Sequence, residues 1–229
     1  MRLRRARPER DPIERRRVGA PAAYLDANDP CDVARHLALL DPVPQPGVVR
    51  VTVTPTARPS SWWVEVVSRN RAGLLAAITG GLEHRSLEVV SASVATWSDG
   101  ATLDIFRVDA EHAPDPDDLR IAIEEALGAP LLPSPIVGAT VIFSSAPDGS
   151  TLCEVRAPDR HGLLHDLAAT FALQGVQIDS ARVETEIDNA VDRFALTDRR
   201  GRPLDIAAQH ALRAALVRGH DPRRANAAS

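Results

Sequence analysis

The stretch Trp63–Leu75, WVEVVSRNRAGLL, is repeated 89 positions later as Leu152–Leu164, LCEVRAPDRHGLL. The similarity continues beyond the two leucines, with matching pairs at Ile78/Leu167, Leu82/Phe171, Ser91/Ser180, Ala92/Ala181, Val94/Val183 and Thr96/Thr185. Self-similarity at a fixed spacing indicates that one structural unit has been duplicated. The chain is therefore predicted to contain two copies of the same fold.

Each copy carries the same order of strand and helix signals. In the first copy, a β-branched run at residues 62–67 predicts a strand, and an apolar stripe at residues 74–82 predicts an amphipathic helix. The other elements predicted for this copy are strands at 87–97 and 101–108, a helix at 115–127 and a last strand at 137–143. The second copy repeats the order at 152–156, 162–174, 176–186, 190–197 and 204–217, with no clear strand after the last helix.

This order predicts an α+β fold of two ferredoxin-like βαββαβ units in tandem, the second without its last strand. In such a unit two helices pack on one face of a four-stranded antiparallel sheet. A unit of about 70–80 residues buries little surface by itself, so we expect the two units to pack on each other.

The remaining segments are expected to be tails and a linker. The Arg-rich residues 1–20 lack hydrophobic periodicity, which is typical of disorder. A short helix follows, and the prolines between Asp41 and Gly47 end it, because such a segment favours an extended chain. The predicted limits are a disordered tail at 1–20, a helix and Pro-rich linker at 21–60, the first unit at 62–145, the second unit at 150–217 and a disordered tail at 218–229.

The composition argues against a nucleic-acid-binding protein. The net charge of -4 provides no general attraction for phosphates. RNA-recognition domains share the βαββαβ order, but they need aromatic side chains on two central strands for base stacking. Here aromatic residues make up 3% of the chain, and strands 101–108 and 190–197 offer only Phe106 and Phe194. No nucleic-acid partner is therefore expected.

The sequence also favours a cytoplasmic location. No run of about 18 apolar residues is present, and no apolar stretch follows the Arg-rich N-terminus, so neither a membrane span nor a secretory signal is predicted. Cys31 and Cys153 lack the C-x-x-C spacing of zinc or redox sites, which fits free thiols in a reducing compartment.

The same polar turn connects the first strand and the first helix of each copy. Asn70 and Asp159 are favoured N-cap residues, and Gly73 and Gly162 have no Cβ, which lets a ligand or a backbone approach closely. A helix N-terminus presents amide hydrogens and a positive dipole end, which suits a carboxylate. These turns predict a site for a small anion or an amino acid; a tight β-to-α turn without any ligand is the alternative.

At these residues the sequence resembles the ACT domain, a regulatory amino-acid-binding module whose signature loop reads Asp-Arg-Pro-Gly-Leu-Leu. The second copy, Asp159–Leu164, differs from this signature at one position, and the first copy, Asn70–Leu75, differs at two. The tandem pair is also similar to the C-terminal regulatory region of the bifunctional PII uridylyltransferase/uridylyl-removing enzyme family. That similarity extends over about residues 21–217 and rests on Glu154–Arg160, Asp192–Asp198 and Tyr24–Leu37.

The resemblance implies a glutamine sensor in which loop amides hold the ligand between ACT units. Carried over by position, the ligand-binding residues would be Asn70, Gly73 and Leu74 in the first copy and Asp159, Gly162 and Leu163 in the second. Ala72 and His161 replace the proline of the signature, and Asn70 lacks its negative charge. The first loop is therefore expected to be the weaker of the two sites.

The catalytic motifs of that enzyme family are not found in the sequence. Gly149-Ser150 leads to Asp159 without the second carboxylate that metal-dependent nucleotidyl transfer needs. The pair His165-Asp166 falls inside a predicted helix, and His161 and His165 lack the further ligands that a zinc ion requires. We therefore expect no catalytic residue, no metal site and no cofactor.

The preferred hypothesis is a non-catalytic regulatory protein that senses an amino acid, with glutamine and nitrogen regulation implied by the resemblance. The expected partners are that amino acid, a catalytic or regulatory protein, and a second copy of the chain through the ACT sheets, without nucleic acid or membrane. Two alternatives stay open. The chain could be the regulatory part of a uridylyltransferase that works with a separate catalytic chain, or it could be a structural dimerisation module with closed loops.

Overall fold

The computed structural model describes residues 12–146, 149–186 and 189–218. In these residues the helices are α1 (Pro12–Val18), α2 (Ala22–Ala27), α3 (Pro30–Leu39), α4 (Leu74–His84), α5 (Pro116–Ala126), α6 (Leu163–Leu173) and α7 (Ile206–Arg218). The strands are β1 (Arg50–Pro55), β2 (Ser61–Arg69), β3 (Glu88–Thr96), β4 (Ala101–Asp109), β5 (Thr140–Ser145), β6 (Thr151–Pro158), β7 (Gln177–Glu186) and β8 (Asn189–Thr197). The prediction of a mixed helix and strand fold is confirmed.

All eight strands form one antiparallel sheet in the order β1-β2-β4-β3-β7-β8-β6-β5. The first half of the molecule contains β1 to α5, and the second half contains β5 to α7. The two halves have the same internal strand order, as a duplication requires. They join where β3 pairs with β7, with Ser91 opposite Glu184 and Ala95 opposite Ser180. The two sheets are therefore one continuous surface.

The edge strands correct the predicted order of elements. The strand expected at 137–143 as the end of the first unit lies at Thr140–Ser145 and pairs with β6 in the second half. The equivalent edge of the first half is β1, which lies inside the predicted linker at 21–60. Each half therefore runs ββαββα instead of βαββαβ. The short connection from β5 to β6 favours an antiparallel hairpin, and β1 already occupies the edge next to β2.

The predicted N-terminal tail is also partly wrong. Residues 1–11 and 219–229 lie outside the described residues, but residues 12–18 form α1. This helix is held against the sheet because Trp97 Nε1 donates a hydrogen bond to the Arg16 carbonyl over 3.0 Å and the Arg16 guanidinium pairs with Asp99. Tertiary contacts thus order a segment whose own sequence shows no periodicity.

Helices α4 to α7 cover one face of the sheet and enclose the main core. Phe106, Phe171 and Phe194 are fully buried there, and the rings of Phe171 and Phe194 meet edge to face at 4.9 Å. Helix α4 contacts both α5 and α6, so it links the helical layers of the two halves. In the described part of the chain, no helix has the length and apolar character needed to cross a membrane.

The opposite face differs between the halves. In the first half it presents Val67 and Ile105, which pack in a second core against Tyr24, Leu37 and other residues of the N-terminal helices. The equivalent positions in the second half are Arg156 and Arg193, and both side chains form ion pairs with Glu154. The N-terminal helices therefore cover an apolar surface at least two of whose residues are replaced by arginine in the second half.

A buried polar cluster fixes the N-terminal helices on that surface. Glu65 of β2 is 1% exposed; its carboxylate pairs with Arg35, accepts a hydrogen bond from Thr52 Oγ1 at 2.7 Å and lies 3.2 Å from His36 Nε2. The Tyr24 hydroxyl is 2.8 Å from the other ring nitrogen of His36. Burial alone would raise the pKa of Glu65, but the hydrogen bonds from His36, Arg35 and Thr52 outweigh burial and lower it to about 2.

We expect Glu65→Gln to lower the free energy of unfolding by about 2 kcal/mol at neutral pH, because hydrogen bonds to charged groups contribute on the order of 1.5–3 kcal/mol. The folded-state pKa lies below the ordinary value of 4.5. The contribution of Glu65 is therefore complete above pH 4.5, and it is lost as the pH falls towards 2.

Urea unfolding between pH 2 and pH 8 measures this difference. The control is Glu154→Gln, which changes the equivalent residue on the solvated face of the second half, where ion pairs contribute little. Equal losses in the two variants at neutral pH would contradict the role of the buried cluster.

Helix α4 approaches α5 very closely at Gly81. A Cβ at this position would lie 2.8 Å from Ile123 Cγ1 and 3.0 Å from the Ile123 backbone nitrogen. Gly81→Ala is expected to destabilise the protein by about 1–3 kcal/mol, because overpacking against a backbone exceeds the gain in helix propensity of about 1 kcal/mol.

Thermal and urea unfolding would check this prediction. Gly128→Ala is the matched control, since a Cβ there meets its nearest atom, the Glu125 carbonyl oxygen, at 3.7 Å. A Gly81→Ala protein as stable as this control would show that α4 and α5 can move apart without a loss in the free energy of unfolding.

Candidate ligand site

Two equivalent loops lead into the helices that cover the sheet. The first loop connects β2 to α4, and the second connects β6 to α6. Gly73 and Gly162 are the N-cap residues and adopt left-handed conformations with φ of 79° and 77°. Residues that have a Cβ are strained in this region, so the turn itself requires glycine.

The predicted capping by Asn70 and Asp159 is wrong, because neither helix has a side-chain cap and each glycine occupies the N-cap position. The backbone N–H of Asn70 donates to the Gly100 carbonyl at 2.8 Å. One oxygen of Asp159 accepts a hydrogen bond from Thr185 Oγ1 at 3.1 Å. Asn70 therefore ties its loop to the turn between β3 and β4, and Asp159 ties its loop to β7.

The start of each helix leaves amide groups available. In the first loop, the Leu74 amide donates to the Arg71 carbonyl and the Ala77 amide donates to the Gly73 carbonyl. The amides of Leu75 and Ala76, between them, have no acceptor in the described part of the chain. The same holds for the amides of Leu164 and His165 among the described residues. These amides and the helix dipole can bind an anionic group.

Each loop opens on a pocket at the boundary between the halves. The first pocket has a cavity volume of about 30 Å³, and the second has a cavity volume of about 160 Å³. The first is lined by the first loop, by strands β3 and β4, and by Ala168, Ala172 and residues 176–178 of the other half. The second is lined by the equivalent residues with the halves exchanged. Both pockets therefore need both copies.

A buried carboxylate lines each pocket. Asp104 of β4 and Asp192 of β8 occupy equivalent positions and are each 1% exposed. Oδ2 of Asp104 and Oδ1 of Asp192 are buried without a hydrogen-bond partner in the described residues. Burial raises the pKa of Asp104 to about 7; burial and the charge of Asp159 do the same for Asp192. Such unsatisfied buried acceptors are costly unless a ligand donor reaches them.

The structure brings together part of the predicted set of site residues. Asn70 and Gly73 line the first pocket, and Asp159 and Gly162 line the second. Leu74 and Leu163 also lie at the pockets, but both are buried in the main core, so their side chains serve packing. Asp104 and Asp192 were missed. Their signal was an aspartate inside an apolar strand, Leu-Asp-Ile-Phe and Val-Asp-Arg-Phe, in both copies.

The two histidines considered for zinc lie near the second pocket. His165 Nδ1 is 2.8 Å from the Ala76 carbonyl oxygen, so this ring contacts α4 across the boundary between the halves. His161 Nε2 is 3.6 Å from Glu83 Oε1. Within residues 12–146, 149–186 and 189–218, no group of three or more metal-ligating side chains was found.

Comparison with known proteins agrees with the repeat. The ACT domain model matches residues 151–214, from β6 into α7. The model for the ACT-like domain of plant bHLH transcription factors matches residues 50–128, from β1 to the end of α5. The match to the plant model begins at the edge strand β1, which supports the assignment of β1 to the first half, whereas the match to the second half begins at β6 and does not include β5.

Relatives of the chain were also found among curated proteins. The bifunctional uridylyltransferase/uridylyl-removing enzyme of Xanthomonas campestris pv. campestris is 34% identical over 69% of this chain, and that of Methylococcus capsulatus is 28% identical over 82%. This chain spans 20% and 24% of the length of these two relatives. A crystal structure of an unknown protein from Galdieria sulphuraria is 22% identical, with a TM-score of 0.26, over 60% of this chain and 80% of that one.

The resemblance seen in the repeated loop is thus supported by both kinds of sequence comparison. Residues 151–214 match the ACT domain, and over 69% of its length the chain is similar to bifunctional uridylyltransferase/uridylyl-removing enzymes.

Proposed function

We propose that this chain is a non-catalytic regulatory module that binds a free amino acid between its two halves. One observation carries the proposal: among the described residues, the unbonded Leu75 amide at the start of α4 and the buried, unpartnered carboxylate of Asp104 line the same pocket. An α-amino acid carries a carboxylate and an ammonium group on one carbon. The amides suit its carboxylate, and the aspartate suits its ammonium group or a side-chain amide.

The residues proposed for the first pocket are the loop at Asn70 and Gly73, the amide of Leu75, and Asp104. Those proposed for the second pocket are the loop at Asp159 and Gly162, the amides that follow Leu163, and Asp192. The amides of Leu74 and Leu163 donate within the turns, to Arg71 and Arg160. The contact with a ligand carboxylate is therefore assigned to the Leu75 amide in the first pocket and to the Leu164 and His165 amides in the second.

Glutamine is the proposed ligand because the relatives are uridylyltransferases. Resemblance to the regulatory region of that family implies a glutamine sensor. Nitrogen regulation is the context proposed on the same ground. The relatives are about five times as long as the matched segment. We therefore propose that binding acts on a catalytic protein, either within a longer chain or as a separate partner. A ligand that contacts both halves stabilises the arrangement of the halves to which it binds more tightly. This difference in affinity is how binding can shift a conformational equilibrium.

Calorimetric titration with each of the twenty standard amino acids tests this function. An amino acid of about ten heavy atoms, at roughly 0.4 kcal/mol per atom, is expected to bind at about the millimolar level. We expect L-glutamine to give heat and to raise the thermal midpoint, and the structural dimerisation module predicts neither. The absence of heat and of any thermal shift for all twenty at about 10 mM would refute the proposal.

Binding should also depend on pH through Asp104. Because burial raises the pKa of this carboxyl to about 7, it is largely protonated at pH 6 and ionised at pH 8. An ammonium group prefers the ionised form, so Kd is expected to fall by about tenfold between these pH values.

Asp104→Asn should weaken binding at pH 8 and remove most of this pH dependence. Titrations at pH 6, 7 and 8 compare the two proteins. Glu111→Ala, which removes an exposed carboxylate outside both pockets, serves as the control. A Kd that does not vary with pH in the unmodified protein would show that the ligand does not use this carboxylate.

A further inference from the structure

Building on the proposed function, we infer that the amino acid binds in the first pocket, whereas the carboxylate of Glu83 occupies the anion position of the second pocket from within the chain. The two pockets descend from one duplicated site, but three of their positions differ in charge. Each difference makes the first pocket more suitable for a ligand carboxylate than the second.

The first difference lies above the glycine of each loop. A Cβ built on Gly162 would be 2.7 Å from Glu83 Oε1 and 3.3 Å from Oε2, so the Glu83 carboxylate lies directly against this glycine. The residue equivalent to Glu83 in the second half is Ala172. A Cβ built on Gly73 would meet only Leu131 Cδ1 at 3.4 Å and Ala172 Cβ at 3.8 Å. The first glycine is thus faced by apolar atoms, and the second by an anion.

Glu83 has favourable partners in this position. Its carboxylate lies at the N-terminal end of α6, where the helix dipole is positive, and His161 Nε2 is 3.6 Å away. The side chain is 37% exposed, so it reaches this place from the end of α4 without being buried completely. The chain therefore supplies its own carboxylate where a ligand carboxylate would bind.

The second difference concerns the arginine of each loop. Arg160 is paired with Asp166 at 2.5 Å, and Asp166 also accepts a hydrogen bond from the Ser134 amide at 2.8 Å. The residue equivalent to Asp166 in the first half is Ala77. Arg71 has no carboxylate partner among the described residues, and its guanidinium reaches only the Leu127 carbonyl, at 3.5 Å. Arg71 is therefore available for a ligand carboxylate, whereas Arg160 is not.

The third difference is the number of acidic residues around the pocket. The second pocket is lined by Glu83, Glu88, Asp159 and Asp192, and the first pocket by Asp104 alone. An incoming carboxylate is repelled by such a group of like charges. In the first loop Asn70 replaces Asp159, so the loss of charge that made this loop appear weaker from sequence favours carboxylate binding.

Titration of L-glutamine into the full chain at pH 8 tests the inference, with the protein at a concentration near the expected Kd of about 1 mM so that the stoichiometry is resolved. The other nineteen amino acids are used if glutamine gives no heat. We expect one site per chain in the unmodified protein. Arg71→Ala should raise Kd at least tenfold, while Arg160→Ala, the same change in the second pocket, should alter Kd by less than twofold. Glu83→Ala should expose a second site and raise the stoichiometry from one to two.

Glu83→Gln keeps the shape of the side chain and serves as a second variant in case the alanine protein folds poorly. Glu111→Ala controls for the loss of one negative charge, and its stoichiometry should stay at one. Thermal unfolding of every variant confirms that a change in heat is a change in binding.

The outcomes separate the two proposals. Binding that responds to Arg160→Ala and not to Arg71→Ala, or two equal sites in the unmodified protein, would overturn the inference and leave the proposed function intact. A stoichiometry of one in both Glu83 variants would overturn the role of Glu83. No heat from any amino acid in any variant would overturn the proposed function and the inference together.

Discussion

The pairing of β3 with β7 is the constraint on which the rest of the structure depends. Five residues of each strand, Ser91–Ala95 and Ser180–Glu184, form this junction. It turns two small sheets into one of eight strands and places α4 beside α6. Because each loop starts one of these two helices, the junction also places each loop against the other half. A pocket lined by both copies follows directly from this geometry, whereas separate units would leave each loop facing solvent.

Within this shared frame the two copies have diverged at equivalent positions. On the helical side of the sheet, Glu83 corresponds to Ala172, and Asp166 corresponds to Ala77. On the opposite side, the apolar Val67 of the first half corresponds to Arg156 of the second. Duplication provides two equivalent positions for each residue, so one copy can keep an uncharged side chain while the other acquires a charged one. The two copies can therefore keep similar core residues and still differ in charge at these positions.

The sequence predicted most elements because their signals are local. The apolar stripe of α4 and the β-branched run of β2 are examples, since both depend on neighbouring residues only. The partner of an edge strand is not local: the pattern at 137–143 indicates a strand, but only competition with β1 decides that it joins the second half. The alternating segment Arg50–Pro55 did carry a strand signal, which the preceding prolines obscured.

Only the part of the candidate site that has a local sequence signal was predicted. Gly73 and Gly162 were identified because a turn before a helix has a recognisable composition. Asp104 and Asp192 were not, because a single polar residue in a strand normally faces solvent, and burial becomes visible only when the helices cover that face. The position of Glu83 could not be predicted, since it faces Gly162 only after the two halves have joined.

The first loop is connected to the N-terminal helices as well as to the other half. The Asn70 amide donates to the Gly100 carbonyl, and Gly100 belongs to the turn between β3 and β4. The same turn carries Asp99, which pairs with Arg16 of α1. A ligand that orders the first loop thus acts on one turn that holds both Asn70 and α1. The second half has no equivalent helices among the described residues, so under the proposed function only the first pocket joins ligand binding to this N-terminal segment.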